Sequence, residues 1–237
     1  KNNKIKIKES FKLNSLKTLA STGSPLVNES FEYVYENIKS NIHLESISGG
    51  TDLVSCFVTG NPLMDVYSGE IQCKALGMDV DVFDEKGNSI ENQKGELVCK
   101  SSFPSMPLYF WNDHDNKKYF NSYFSKYENI WYHGDYIEKT INGGYVIYGR
   151  SDATLNSGGV RIGTAEIYRV IENITEVQEA VAVEYKFEND TQIILFVVLN
   201  KNFEFNENLR SKITDEIKIN LSYKHIPSQI YAINEIP

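Results

Sequence analysis

The chain reads as an α/β protein with a small β-subdomain, followed by a small α+β domain. Three features of its 237 residues say so. A short apolar run near Leu16 enters a Gly turn and then an amphipathic helix. Residues 69–100 break into the runs EIQCKA, MDVDVF and ELVCK, separated by turn clusters at Asp84 to Asn88 and Asn92 to Gly95, the signature of antiparallel hairpins. Beyond Asp152 the apolar spacing alternates as helix, strand, strand, helix.

Taken in order, Leu16 to Leu19 reads as a strand entering the turn at Gly23. A helix over residues 30–40 places Phe31, Val34, Tyr35 and Ile38 on one face. Ile47 leads into Ser48-Gly49-Gly50-Thr51-Asp52. A short helix within 113–127 is expected to pack Tyr119, Phe120, Tyr123 and Phe124 inward as core, and Asn142-Gly143-Gly144 is a turn before a strand over 145–148. Gly158 and Gly159 mark a sharp turn. After it Ile167, Val170, Ile171 and Ile174 repeat at helical spacing, with Thr164 as the expected N-cap. Ala180 to Val183 and Ile193 to Leu199 read as strands, and Leu209, Ile213, Ile217 and Leu221 mark a last amphipathic helix.

Composition narrows the function classes. A net charge of −8 argues against a nucleic-acid surface. No apolar run approaches the length of a membrane span and KNNKIKIKES is no signal peptide, so a soluble, cytoplasmic protein is expected. Cys56, Cys73 and Cys99 lack CxxC spacing; they are expected to be buried thiols rather than a disulfide framework or a zinc site. His43, His114 and His225 have no ligand partner at helical spacing and are read as surface or structural.

Four segments carry candidate chemistry: Thr22-Gly23-Ser24-Pro25, Ser48 to Asp52, His133-Gly134-Asp135, and YGRSDATLNSGGVRIGTAEIY from Tyr148 to Tyr168. In the last, a helix N-terminus beside Arg161 favours an anion such as a phosphate. A P-loop is excluded, because Thr164 stands where the phosphate-binding Lys is required. Each segment also has a plain structural reading: a Gly-rich connection, a turn at Asp135, a helix N-cap at Thr51 and Asp52, an ordinary turn at Gly23 to Pro25.

Together and in this order the segments resemble the adenylate-forming acyl-CoA synthetase superfamily, and the GRSDATLN-GG-RIGTAEIY wording looks closest to acetoacetyl-CoA synthetases. The resemblance runs from about Leu16 to Pro237. It implies that residues 1–152 are the C-terminal part of the large AMP-binding domain and 153–237 a small mobile domain lacking its end. The superfamily's phosphate loop and its adenylation Lys are not in this sequence, so a fragment inactive by itself is expected.

The resemblance also implies roles. Gly23, Ser24 and Pro25 would line the adenine; Gly50 and Thr51 would meet the α-phosphate. Asp52, where the family carries Glu, would hold Mg²⁺, directly or through water. Asp135 would accept from both ribose hydroxyls, an acceptor-only task suited to a carboxylate, with Arg150 as a cationic donor and Arg161 also toward the nucleotide. His133, where relatives carry Thr, is open between nucleotide contact and structure. Asp152 would be the hinge, and Gly158 and Gly159 would line the channel that admits coenzyme A. Gly49 stands where acetate-specific relatives have a Trp, which implies a pocket for a longer acid. The implied reaction joins a short carboxylic acid, acetoacetate above others, to CoA with ATP consumed to AMP. Two alternatives share these motifs: transfer to a carrier-protein phosphopantetheine, and a non-catalytic nucleotide-binding relative.

Overall fold

The structure is a computed structural model and describes residues 7–157, 160–187 and 190–236. The chain divides into two compact units, Lys1–Ile147 and Tyr148–Pro237.

The first unit opens with a single helical turn, α1 (Ile7–Ser10), and then a strand–helix–strand element. Strand β1 (Thr18–Ser21) pairs in parallel with β2 (His43–Ser46), Thr18 opposite His43 and Ser21 opposite Ser46. The connection is α2 (Asn28–Tyr33), which continues as a π-helical turn over Val34–Ile38. This is the expected helix, begun earlier and wound wider. Its apolar face delivers Phe31 and Val34 onto Ile42 and Leu44, with Tyr35 and Ile38 packed against them.

Strands β3 (Ser48–Gly50), β4 (Ser55–Thr59) and β5 (Cys73–Lys74) form an antiparallel sheet in the order β3-β4-β5. Of the expected hairpins one forms, β6 (Val80–Phe83) against antiparallel β7 (Lys94–Cys99), Val80 opposite Cys99, whereas the run EIQCKA supplies β5 to the β3-β4-β5 sheet. The β6–β7 sheet continues, after the helix α3 (Lys117–Tyr123), through β8 (Trp131–Lys139) and β9 (Tyr145–Arg150). Leu53, Phe57, Val82, Leu97, Trp131, Ile137 and Tyr145 share one core.

In α3 the aromatic stripe is only partly inward. Tyr119, Tyr123 and Phe124 pack on that core, but Phe120 is more than half exposed. Four aromatics in six residues span more than the one face a helix this short can bury.

The second unit begins with a 3₁₀ turn over Ser151–Ala153 and a short hairpin, β10 (Leu155–Ser157) against β11 (Val160–Ile162). Helix α4 (Thr164–Ile171) follows, then the antiparallel pair β12 (Val177–Phe187) and β13 (Asp190–Leu199), helix α5 (Glu207–Asn220) and β14 (Gln229–Ala232), which joins β13 in parallel. Ile167, Val170 and Ile171 of α4 meet Leu209, Ile213 and Ile217 of α5 over the inward residues of β12 and β13. At the head of α5 the Asn206 side chain accepts the Leu209 amide at 2.9 Å, an ordinary N-cap.

Candidate active site

The Thr22 to Pro25 turn and the Ser48 to Asp52 segment both leave from the carboxyl ends of the parallel pair β1–β2. The Ile47 amide donates to the Ser21 carbonyl at 2.9 Å, which holds the two exits side by side. Gly23 has φ +91°, a conformation natural to glycine. In open α/β sheets, ligands collect outside the carboxyl ends of the strands.

From Ser48 the chain is pressed against β4. A Cβ at Gly49 would lie 2.2 Å from the Ser55 carbonyl oxygen and 2.4 Å from the Cys56 Cα, both backbone atoms of the pairing strand. Beside the expectation that Gly49 opens an acid pocket stands a second demand on the same residue. Its hydrogen is required by strand contact, and an indole there would part β3 from β4. A Cβ at Gly50 would instead meet a side-chain atom, Asp52 Oδ1, at 2.1 Å.

Thr51 and Asp52 lie on an exposed turn, not at a helix N-cap. The turn is pinned by Leu53, which is fully buried, and it closes at Val54, a β-branched residue with φ +51° that is 86% exposed. Asp52 Oδ2 accepts a hydrogen bond from the Tyr123 hydroxyl. The Tyr123 ring stacks on buried Trp131, centroids 3.6 Å apart and 13° between planes.

Strand β8 brings the other carboxylate. Asp135 is 7% exposed and His133 8%. Ser48 Oγ donates to Asp135 Oδ2 at 3.4 Å, and His133 Nε2 lies 3.7 Å from the same oxygen. The His133 ring stands edge-on to Phe57, centroids 4.8 Å apart, and its Cε1 lies 3.2 Å from the Cβ that Gly50 lacks. His133 is thus packed between the two segments and backs Asp135. Two motifs more than 80 residues apart in sequence meet here within one unit.

The remaining sites are in the second unit. Arg150 Nε lies 3.4 Å from Asp152 Oδ1 with both side chains largely exposed. Such a pair contributes on the order of 0–1 kcal/mol. Gly158, Gly159 and the Arg161 side chain lie outside the described residues; the backbone of Arg161 pairs with Asn156.

Helix α4 departs from expectation at its start. Gly163, not Thr164, is the N-cap; Thr164 is the first helical residue and is buried. The Gly163 amide donates to Glu166 Oε1 at 3.0 Å, and Glu166 Oε2 lies 3.6 Å from His225 Nε2. The negative charge attracted to this helix terminus is the chain's own Glu166, which weakens the case for a phosphate there.

The histidines outside the site are structural or surface groups. His43 bonds Gln72 at 2.8 Å, His225 bonds Ser222 at 2.9 Å, and His114 is exposed. Among the cysteines only Cys99 is buried; Cys56 and Cys73 are partly exposed, which corrects the expectation of three buried thiols. Burial pushes the Cys73 and Cys99 thiols up, so neither is an activated nucleophile. An open depression of about 260 Å³ lined by Leu63, Tyr67, Gln72 and Gly144 includes none of the motif residues. No group of three or more metal-ligating side chains occurs among the described residues, and no described helix is long and apolar enough to cross a membrane.

No family model matches the chain. It is 52% identical over 225 residues to an acetoacetyl-coenzyme A synthetase of Rhizobium meliloti (strain 1021), covering 95% of this chain and 35% of that protein. The acetoacetyl-CoA synthetase structure from Streptomyces lividans superposes with a TM-score of 0.89 at 35% identity, over 97% of this chain and 35% of that one. The anthranilate CoA ligase AuaEII, solved with anthranoyl-AMP, shares the fold with a TM-score of 0.79 at 20% identity, over 98% of this chain and 44% of that one. The chain thus spans about a third of the length of the curated relatives it matches. Over nearly all of its own length, then, the chain is similar to about one third of an acetoacetyl-CoA synthetase in sequence and in fold.

Proposed function

We propose that this chain carries the ribose- and α-phosphate-binding part of an AMP-forming ligase that joins acetoacetate to CoA. The observation that supports this best is the meeting of Ser48 to Asp52 with His133 to Asp135 at the carboxyl side of the β1–β2 pair. That arrangement sets a buried acceptor-only carboxylate beside an exposed hydroxyl and carboxylate, the groups a nucleotide's ribose and α-phosphate call for.

In the reaction, a carboxylate oxygen attacks the α-phosphorus of ATP and pyrophosphate leaves. The CoA thiolate then attacks the acyl carbon and AMP leaves, a far better leaving group than oxide. Asp135 takes the ribose hydroxyl protons as hydrogen bonds and fixes the sugar. Arg150 adds a donor to the ribose, and the Thr51 hydroxyl donates to an α-phosphate oxygen during the in-line displacement. Gly23 to Pro25 supply backbone against the adenine.

Asp52 suits Mg²⁺. A single exposed carboxylate matches an ion that keeps its waters and takes its other ligands from substrate phosphates, not one that needs an all-protein cage. The ion would offset phosphate charge. Asp152 as hinge, a functional division at 152/153, and Gly158 and Gly159 as the CoA channel complete the proposal on sequence resemblance. A cytoplasmic location remains part of the same proposal.

Exchange of pyrophosphate into ATP, measured on the full-length protein with acetoacetate, tests the first step; free CoA as acceptor tests the second. Exchange without thioester formation would favour a carrier-protein acceptor, and no exchange with any short acid would leave a non-catalytic nucleotide binder.

A further inference from the structure

Asp52 is one methylene shorter than the Glu the superfamily carries at this place, and it sits on an exposed turn where nothing in the backbone sets the direction of its carboxylate. Three side-chain facts set it. Oδ1 is folded over Gly50, so closely that a methyl group there would lie 2.1 Å from it. Oδ2 accepts from the Tyr123 hydroxyl. Tyr123 is itself held by its ring, which stacks on Trp131 at 3.6 Å and meets Phe110 edge-on at 5.6 Å. Trp131 is 1% exposed at the start of β8, the strand that carries Asp135.

We infer that Tyr123 is a positioning residue for Asp52: its hydroxyl engages Oδ2 and fixes the direction of the carboxylate that would serve the nucleotide's metal, compensating for the shorter side chain. The inference rests on the proposed ligase function. A freely rotating aspartate on an exposed turn loses side-chain entropy when it engages a ligand. A carboxylate already tied to a stacked, semi-rigid phenol has lost much of it beforehand. The pairing is matched to the length of Asp, because a Glu would carry its carboxylate one C–C bond beyond the hydroxyl.

The test is calorimetry on the full-length protein, titrating ATP with and without Mg²⁺ and, separately, AMP without metal. Tyr123→Phe keeps the ring on Trp131 and removes only the hydroxyl. It is expected to weaken Mg²⁺-dependent ATP binding by about tenfold, the low end for losing a hydrogen bond to a charged group. AMP affinity, set by Asp135, is expected to be unchanged. In an Asp52→Glu background the same Tyr123→Phe change is expected to alter ATP binding less than twofold. Loss of AMP and ATP affinity together, or equal loss in both backgrounds, would overturn the inference by making Tyr123 a packing residue. Should Tyr123→Phe fail to fold, Tyr123→Trp, which also sets an aromatic ring on Trp131 without the hydroxyl, takes its place: weaker Mg²⁺-dependent ATP binding with AMP affinity unchanged supports the inference, and any other outcome overturns it. Failure of the ligase reading would look different: the unsubstituted protein would show no acetoacetate-dependent exchange of pyrophosphate into ATP, whatever the Tyr123 variants do to nucleotide binding.

Discussion

Asp135 and Asp52 are both carboxylates at the candidate site, but they are held in opposite ways. Asp135 lies within a nine-residue strand, is 7% exposed, and has Ser48 and His133 at one of its oxygens. Its position follows from the sheet. Asp52 lies on an exposed turn, and its direction comes from Tyr123 and Gly50, outside any ladder. The contrast fits the two partners proposed: the ribose would meet an acceptor fixed by the sheet, and the metal-bound phosphates a carboxylate whose direction is set by a neighbouring side chain.

The two adjoining glycines offer the strongest way to break that contrast. Gly49→Ala would drive a methyl into the backbone of Ser55 and Cys56, which cannot step aside. Overpacking of this kind costs roughly 1–3 kcal/mol or more, and urea unfolding should show it. Gly50→Ala meets side chains and not backbone: the Asp52 carboxylate, which can swing away, and His133 Cε1 at 3.2 Å, which need give by only a few tenths of an ångström. It should cost less than about half as much in stability while weakening Mg²⁺-dependent nucleotide binding. Equal unfolding midpoints for the two variants would mean that β3 is as yielding as the turn.

Asp135→Ala sharpens the other side of the comparison. It removes a charged acceptor serving two hydroxyls, each such bond being worth about 1.5–3 kcal/mol. AMP affinity of the full-length protein should fall at least about tenfold, with or without Mg²⁺. An unchanged calorimetric affinity would remove the ribose from this site.

The smallest effect comes from a third carboxylate, Asp81, which serves no ligand. Burial alone would raise its carboxyl, but Lys100 at 3.0 Å, the Val82 amide and the Ser89 hydroxyl outweigh it and hold it below the usual range. A depressed folded value contributes stability above the unfolded pKa of about 3.9, lost as pH falls through the folded value. Asp81→Asn should therefore be less stable than the parent by roughly 0.5–1 kcal/mol at pH 7, with the gap closing below about pH 4. A gap that stays constant down to pH 3 would rule out the ionised pair as its source.

Sequence legibility tracked the periodicity of apolar residues. The helices around Phe31, Ile167 and Ile213 and the β12–β13 pair were readable because their inward faces are continuous. Strand β8 was not, and the reason is chemical: His133 and Asp135 occupy the alternate positions between Trp131 and Ile137 that would otherwise be apolar. The residues that make the site legible as a motif hide the strand that carries it. Strands β2, β4 and β14 are too short to show a period. Gly49 was legible as a glycine but not as a contact, since what a Cβ would strike depends on Ser55 and Cys56 across the sheet. Likewise Tyr123 reads as one more core aromatic until its hydroxyl is placed on Asp52.

Val54 gives the turn a final significance. A β-branched residue with positive φ is strained by on the order of 1–3 kcal/mol, and at 86% exposure it gains almost nothing from burial in return. Glycine would relieve the strain and asparagine would tolerate the left-handed conformation better. The strain is sustained by Leu53, whose buried side chain anchors the backbone one residue earlier. The turn behaves like a loaded spring clamped at one end: thermostability is surrendered locally, and what is obtained is a backbone with few alternative shapes two residues from Asp52. A sequence optimised for stability alone would release that spring, and the hydrogen bond from Tyr123 would have to hold Asp52 on a looser turn.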